Sequence, residues 1–223
     1  MTQPTLHYIY DALCGWCYAA SPLVKAARAA GTNIVIHGGD LWSTAAVLDP
    51  GKRLYIASND ERIAALSGVE FGDDYRDGLL KDPTATLWSR PTVEAILAAG
   101  MLKPQADLDM LEAIQNAHYR QGRKVIERSV LIDLATDLGL DGDAFELALS
   151  ESMAARHVRE TRAWMDEFRL SGFPSFLLEV DGALCRLPHE RFYGRPDDFV
   201  AAIDAAASHR PPAVTSAPSE TRH

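Results

Sequence analysis

The chain has 223 residues, 47% hydrophobic, 24% charged and 8% aromatic; this is ordinary globular composition, and it excludes disordered, collagen-like and disulfide-scaffold classes. Its 22 Lys and Arg against 31 Asp and Glu leave a net charge of −9, the wrong sign for nucleic acid or an anionic membrane, whose phosphates must be met by basic side chains. The longest apolar run, residues 95–102 between Glu94 and Lys103, falls well short of the ~18–20 residues that cross a bilayer.

Met1 to Pro4 carry no charged side chain and Asp11 interrupts the first apolar stretch, so a secretory leader is not expected and the cytoplasm is the expected compartment. Residues 6–10 (LHYIY) form a β-branched and aromatic run of strand length that stops at Asp11. Helix formers then fill 14–30 up to Gly31, with Pro22 expected to kink the helix by removing a backbone donor. Residues 33–37 (NIVIH) are a second strand, and strand, helix and strand make a right-handed βαβ unit. From Gly38 strand signals vanish for about 130 residues and helical patterns broken by Gly and Pro take over. Leu108, Leu111 and Ile114 repeat at helical spacing, as do Val130, Leu134 and Leu138, and a stripe runs through Ala154, Val158, Thr161, Met165 and Phe168. Strands return at 175–180 (SFLLEV) and 183–187 (ALCRL), joined by the hairpin dipeptide Asp181-Gly182. An amphipathic helix over 197–206 closes the fold, and 207–223, rich in Pro, Ser and Thr, reads as a disordered tail. The expected architecture is α/β, with segments 1–38 and 171–206 forming one domain and 39–170 an inserted helical domain.

Three cysteines, two of them spaced Cys14-Gly15-Trp16-Cys17, pose the chemical question. At a strand-to-helix junction a C-x-x-C pair is suited to redox work. Two intervening residues bring a thiol in the first helical turn toward one just before it, and the unpaired amides of a helix start favour a thiolate. That matters because a free thiol of pKa about 8.5 is only about 3% ionised at pH 7. The expected mechanism has Cys14 as nucleophile and Cys17 as resolving thiol, passing through a mixed disulfide with a protein or low-molecular-weight thiol. No cofactor is needed beyond the dithiol, with glutathione an allowed co-substrate. The competing reading is a zinc clip; zinc takes four ligands, and Cys185 with His37 or His189 would have to complete the set. Trp16 is expected to shape access or pack on substrate. Asp11, three residues before Cys14, is expected to cap the turn through its carboxylate, the alternative being proton handling for Cys17. Cys185 reads as a small buried hydrophobe. His118 and Tyr119 with Arg120, Arg123 and Lys124 read as a solvated helix end. Pro174, in GFPSF, would if cis turn the Phe173 backbone toward the sulfurs and offer an extended substrate a strand-like partner.

These residues resemble the DsbA-like branch of the thioredoxin superfamily, in its cytoplasmic type. The resemblance is carried by YDALCGWCYAASPLV at 10–24, HYRQGRKV at 118–125, LATDLGLD at 134–141 and SGFPSF at 171–176. It implies a thioredoxin fold with a large inserted α-helical domain, Cys14 as attacking cysteine, Cys17 as its partner and Pro174 as a cis proline. The sequence departs from that pattern at Gly15-Trp16 and at Phe173, where relatives often carry Val or Thr, so oxidase, isomerase and reductase roles stay open. Two alternatives share the residues: a kappa-class glutathione transferase or hydroxychromene-carboxylate isomerase, which do not need the second cysteine, and a zinc-stabilised or thiol-sensing interaction module.

Overall fold

A computed structural model describes residues 3–208 of the chain. In chain order the elements are β1 (Thr5–Tyr10), α1 (Gly15–Ala29), β2 (Asn33–Gly38), β3 (Ala46–Val47), α2 (Pro50–Ser67), a π turn (Asp74–Gly78) continued by a 3-10 turn (Leu79–Lys81), β4 (Thr86–Leu87), α3 (Arg90–Leu102), α4 (Ala106–Tyr119), α5 (Arg128–Asp137), α6 (Gly142–Ala148), α7 (Glu151–Glu167), β5 (Ser175–Val180), β6 (Ala183–Arg186) and α8 (Pro196–Ser208).

Alternation along β1 sets the layering. Leu6, Tyr8 and Tyr10 enter the main core, while Ile9 joins Leu177 and Phe168 in a smaller core on the opposite face of the sheet. The sheet runs β2-β1-β5-β6, with β2 parallel to β1 and β5 antiparallel to it, so that Tyr8 lies opposite Phe176. Phe176 stacks on Tyr8 with ring centres 4.8 Å apart and meets Phe199 of α8 edge-on at 5.4 Å. The β5–β6 turn has both Asp181 and Gly182 at positive φ, 50° and 79°, the geometry that matches the twist of a hairpin. α1 and α8 pack together, and α7 lies against β2.

The expected strand-free block between β2 and β5 is corrected at one place: Ala46–Val47 and Thr86–Leu87 pair antiparallel. Two-residue strands carry no alternation that a sequence pattern could register. The helical stripes sit where periodicity placed them, with Leu111 and Ile114 buried on α4, Leu134 on α5, and Ala154, Val158 and Thr161 on α7. α1 runs on through Pro22 to Ala29. α8 extends past its expected end, so Ala207 and Ser208 are helical, whereas the rest of the expected tail lies outside the described residues. No described helix is long and apolar enough to cross a membrane.

A second aromatic core fastens the α2–α4 region onto the helix that carries the cysteines. Tyr18 of α1 stacks on Tyr119 of α4 at 4.8 Å and meets Phe71 edge-on at 5.4 Å, and Ile63, Tyr75, Leu79 and Leu80 complete the cluster.

Truncating the stacked ring in the main core tests this layering. Phe176→Ala is expected to lower unfolding free energy by about 3–5 kcal/mol, measured by urea denaturation; a loss of under about 1 kcal/mol would contradict its central place.

Candidate active site

Cys14 occupies the N-cap of α1 with extended backbone, φ −100° and ψ 117°. Its carbonyl accepts from the amides of Cys17 at 2.9 Å and Tyr18 at 3.0 Å, which places Cys17 at the third helical position, one turn away. Beneath them the Tyr8 hydroxyl donates to the Cys17 carbonyl at 3.1 Å and pins the turn to the sheet. Both thiols are free, but their surroundings differ. Cys14 is 7% exposed and opens onto a cleft, whereas Cys17 is 0% exposed. Burial, together with the neighbouring Cys14, pushes the Cys17 thiol well above its ordinary pKa, opposed by the Asp11 amide that donates to its sulfur at 3.4 Å.

The Phe173–Pro174 bond is cis, and the Cys14 thiol donates to the Phe173 carbonyl at 3.5 Å. The chain has therefore brought the two expected motifs into direct contact across 159 positions of sequence. The Phe173 ring lies over Gly39, where an added Cβ would overlap it; the glycine lets the ring settle on bare backbone.

Asp11 is 0% exposed. One carboxyl oxygen accepts from the Leu13 amide at 2.8 Å and the other from the Leu41 amide at 2.7 Å. The carboxyl thus holds the turn at Leu13 and reaches past it to Leu41. Burial pushes the Asp11 carboxyl up to about 6, opposed by hydrogen bonds from Ser89, Leu41 and Leu13. Ser89 is itself clamped to the same segment, its hydroxyl accepting from the Trp42 amide and its amide donating to the Trp42 carbonyl, each at 3.0 Å.

Two hollows flank Trp16 and Phe173, and Cys14 lines the second of them. One, of about 640 Å³, is polar along much of its length and follows residues 170–176, with Arg62, Arg186, His189 and Glu190 among its walls. The other, also about 640 Å³, is apolar and lies between Cys14 and the α2–α4 region, with Trp42, Ile63, Leu79 and Tyr119 in its lining. Trp16 and Phe173 border both. Trp16 is held between Tyr193, ring centres 5.3 Å apart, and the Arg62 guanidinium, 5.8 Å from its ring. Gly15 has a spatial reason as well: a Cβ there would come within 3.0 Å of Asp60 Oδ1 and of Ile63 Cδ1.

Asp60, Tyr75, Trp42 and Ser89 also belong to the site, although they come from separate segments and carry no motif that points to them. His118 and Tyr119 are corrected from a solvated helix end to a buried one: they sit in the last turn of α4 and line the apolar cleft, and burial pushes His118 down to about 3. The three cations after them are paired, Arg120 with Glu70, Arg123 with Asp133 and Lys124 with Asp82. Cys185 is corrected from buried to partly exposed, in β6 opposite Leu178. His37 hydrogen-bonds His7 at 3.0 Å and stacks on Trp164, and His189 packs on Phe176 and Tyr193. Among the described residues no three His, Cys, Asp or Glu side chains converge as metal ligands.

The family described as DSBA-like thioredoxin domain matches residues 5–195. The chain belongs to that family. It is a thiol–disulfide oxidoreductase with the dithiol Cys14-Cys17, and its fold is the DsbA-like thioredoxin fold. Among solved structures it is 42% identical to the cytosolic disulfide reductase DsbM from Pseudomonas aeruginosa, covering 92% of this chain and 98% of that one with a TM-score of 0.83. The structure of DsbM with GSH matches at 39% identity, 92% and 99% coverage and a TM-score of 0.82. A 2-hydroxychromene-2-carboxylate isomerase, 19% identical over 81% of this chain and 87% of that one with a TM-score of 0.59, shares the fold alone. No curated protein sequence matches the chain.

The buried Asp11 carboxyl makes stability depend on pH. Its pKa is raised from 3.8 to about 6 on folding, so its favourable contribution is complete below about pH 4 and is lost as pH rises through 6. Relative to Asp11→Asn, the wild type is expected to lose up to about 3 kcal/mol between pH 4 and 7, because a tenfold change in proton affinity corresponds to about 1.4 kcal/mol. Urea unfolding of both proteins across that range measures it, and parallel curves would refute it.

Proposed function

We propose that the chain is a cytoplasmic disulfide reductase that passes electrons from Cys14 and Cys17 to glutathione-containing or protein disulfides. The observation that carries this reading is the contact between the Cys14 sulfur and the Phe173 carbonyl at the apolar cleft, with Cys17 sealed one turn below. Support for the reducing direction, the compartment and glutathione comes from the 42% identical relative. In this reading segments 1–38 and 171–206 carry the thiols, and 39–170 is an inserted helical domain that supplies the far wall of the apolar cleft.

The Cys14 thiolate attacks one sulfur of the substrate disulfide and expels the other as a thiol, leaving a Cys14 mixed disulfide. Substrate backbone beside Cys14 meets the Phe173 carbonyl, which accepts an amide hydrogen bond once the Cys14 thiol no longer supplies one. Cys17 then loses its proton, attacks the Cys14 sulfur and releases the second thiol, leaving the Cys14–Cys17 disulfide. The raised pKa of Cys17 keeps it a thiol until that point. Asp11, whose backbone amide touches the Cys17 sulfur, accepts the Cys17 proton. Trp16 and Phe173 form the lips against which substrate packs. A single-thiol transferase or isomerase would leave this second sulfur without a task.

Cys14→Ser is expected to lower reduction of oxidised glutathione or of a model protein disulfide at least 1,000-fold. Cys17→Ser is expected to accumulate a Cys14 mixed disulfide, read by mass spectrometry without reductant. Turnover surviving in Cys14→Ser would end the assignment.

A further inference from the structure

The apolar cleft beside Cys14 contains a carboxyl that the exchange reaction above leaves unused. Asp60, on α2, is 6% exposed. Its Oδ2 accepts from the Tyr75 hydroxyl at 2.8 Å. Its Oδ1 faces Gly15, within 3.0 Å of where a Cβ would stand, so it lies over the first turn of α1 beside the Cys14 N-cap. Asp60 and Cys14 line the same cleft.

A carboxylate buried this deeply is ordinarily matched by a cation. The cations near Asp60 are engaged elsewhere: Lys52 with Asp49, Arg76 with Asp73, Lys81 with Asp77, and Arg62 over the Trp16 ring. Other titratable groups around it are Tyr55 from α2, Tyr75 from the π turn, His118 and Tyr119 from α4 and Cys14, with Glu61, Glu70 and Asp77 lining a second hollow that Asp60 also borders. None of these is a cation at neutral pH, since burial keeps His118 uncharged. Among the described residues Asp60 therefore has no ion-pair partner. The molecule holds a carboxyl with one satisfied oxygen and one open oxygen, in an apolar enclosure shared with the attacking thiol.

We propose that Asp60 is the proton carrier for Cys14, taking the thiol proton before attack and returning it to the sulfur that leaves the substrate. The proposal rests on the exchange activity above. The proton passes from Cys14–SH to the Asp60 carboxylate. The Cys14 thiolate attacks R–S–S–R′, forming Cys14–S–S–R and breaking the substrate S–S bond, and the departing R′–S⁻ takes the proton from the Asp60 carboxylic acid as R′–SH. The carboxylate is regenerated, and the two electrons that reduce the substrate come from the dithiol once Cys17 closes the disulfide. Burial pushes Asp60 up to about 7, opposed by the Tyr75 hydrogen bond, so both protonation states are populated near neutrality, where a proton carrier works best.

The test is the pH dependence, between 5.5 and 8.5, of thiol release from oxidised glutathione in wild type, Asp60→Asn and Tyr75→Phe. Wild type is expected to show an inflection near pH 7. Asp60→Asn is expected to lose that inflection and fall at least about tenfold at pH 7, less than the about 100- to 10,000-fold typical of a positioned proton-transfer group because buffer enters the open cleft. Tyr75→Phe, which removes the hydrogen bond that favours the carboxylate, is expected to move the inflection to higher pH. An Asp60→Asn profile of wild-type shape, reduced or not by a constant factor, would mean a structural role and overturn the proposal. Should Asp60→Asn fail to fold, an unmoved inflection in Tyr75→Phe overturns it equally. Wild type without thiol release, or release by Cys14→Ser, would instead strike the exchange reading itself.

Discussion

Asp11 sets one carboxyl oxygen on the Leu13 amide of the reactive turn and the other on the Leu41 amide of the segment leaving the sheet. That pair of hydrogen bonds ties the Cys14 turn to the segment that leads into the helical block, and the reciprocal bonds between Ser89 and Trp42 extend the tie to the start of α3. A buried acceptor that serves two amides is costly to disturb, because losing it leaves the buried Leu13 donor without a partner. The reactive turn is therefore held from below by the Tyr8 hydroxyl and from the side by Asp11.

With the turn fixed, the two sulfurs fall into unequal surroundings although they sit in one helical turn. Cys14 opens to the cleft and has the Phe173 carbonyl against it, while Cys17 is enclosed by the core. In the proposed reaction this unequal access sets the order, an incoming disulfide meeting Cys14 first and Cys17 reaching only a bond already formed one turn away. Glycine at position 15 belongs to the same design: by leaving out a side chain it admits Asp60 and Ile63 of α2 close to the helix start.

The aromatic cluster of Tyr18, Phe71, Tyr75 and Tyr119 gives the cleft a rigid wall. It packs a helix bearing the thiols against helices from the long block between β2 and β5, so the chemistry of Cys14 is bounded by residues far from it in sequence. Trp16 and Phe173 separate that apolar cleft from a more polar hollow along residues 170–176.

Much of this was legible in the residues alone. Alternation in 6–10 and 175–180, the Asp181-Gly182 turn and the helical stripes are local patterns, and local backbone geometry enforces them. The CGWC spacing at a strand-to-helix junction and the proline of GFPSF marked the cysteine pair and the segment that lies against it. What only the tertiary structure decided is which distant groups share the cleft. Asp60, Tyr75, His118 and Trp42 carry no spacing signal, because they meet through packing of separate helices and turns. Whether a carboxyl is held by two amides, as Asp11 is, or by one tyrosine hydroxyl with no ion-pair partner among the described residues, as Asp60 is, depends on burial and on partners contributed by other segments, and sequence order does not record either.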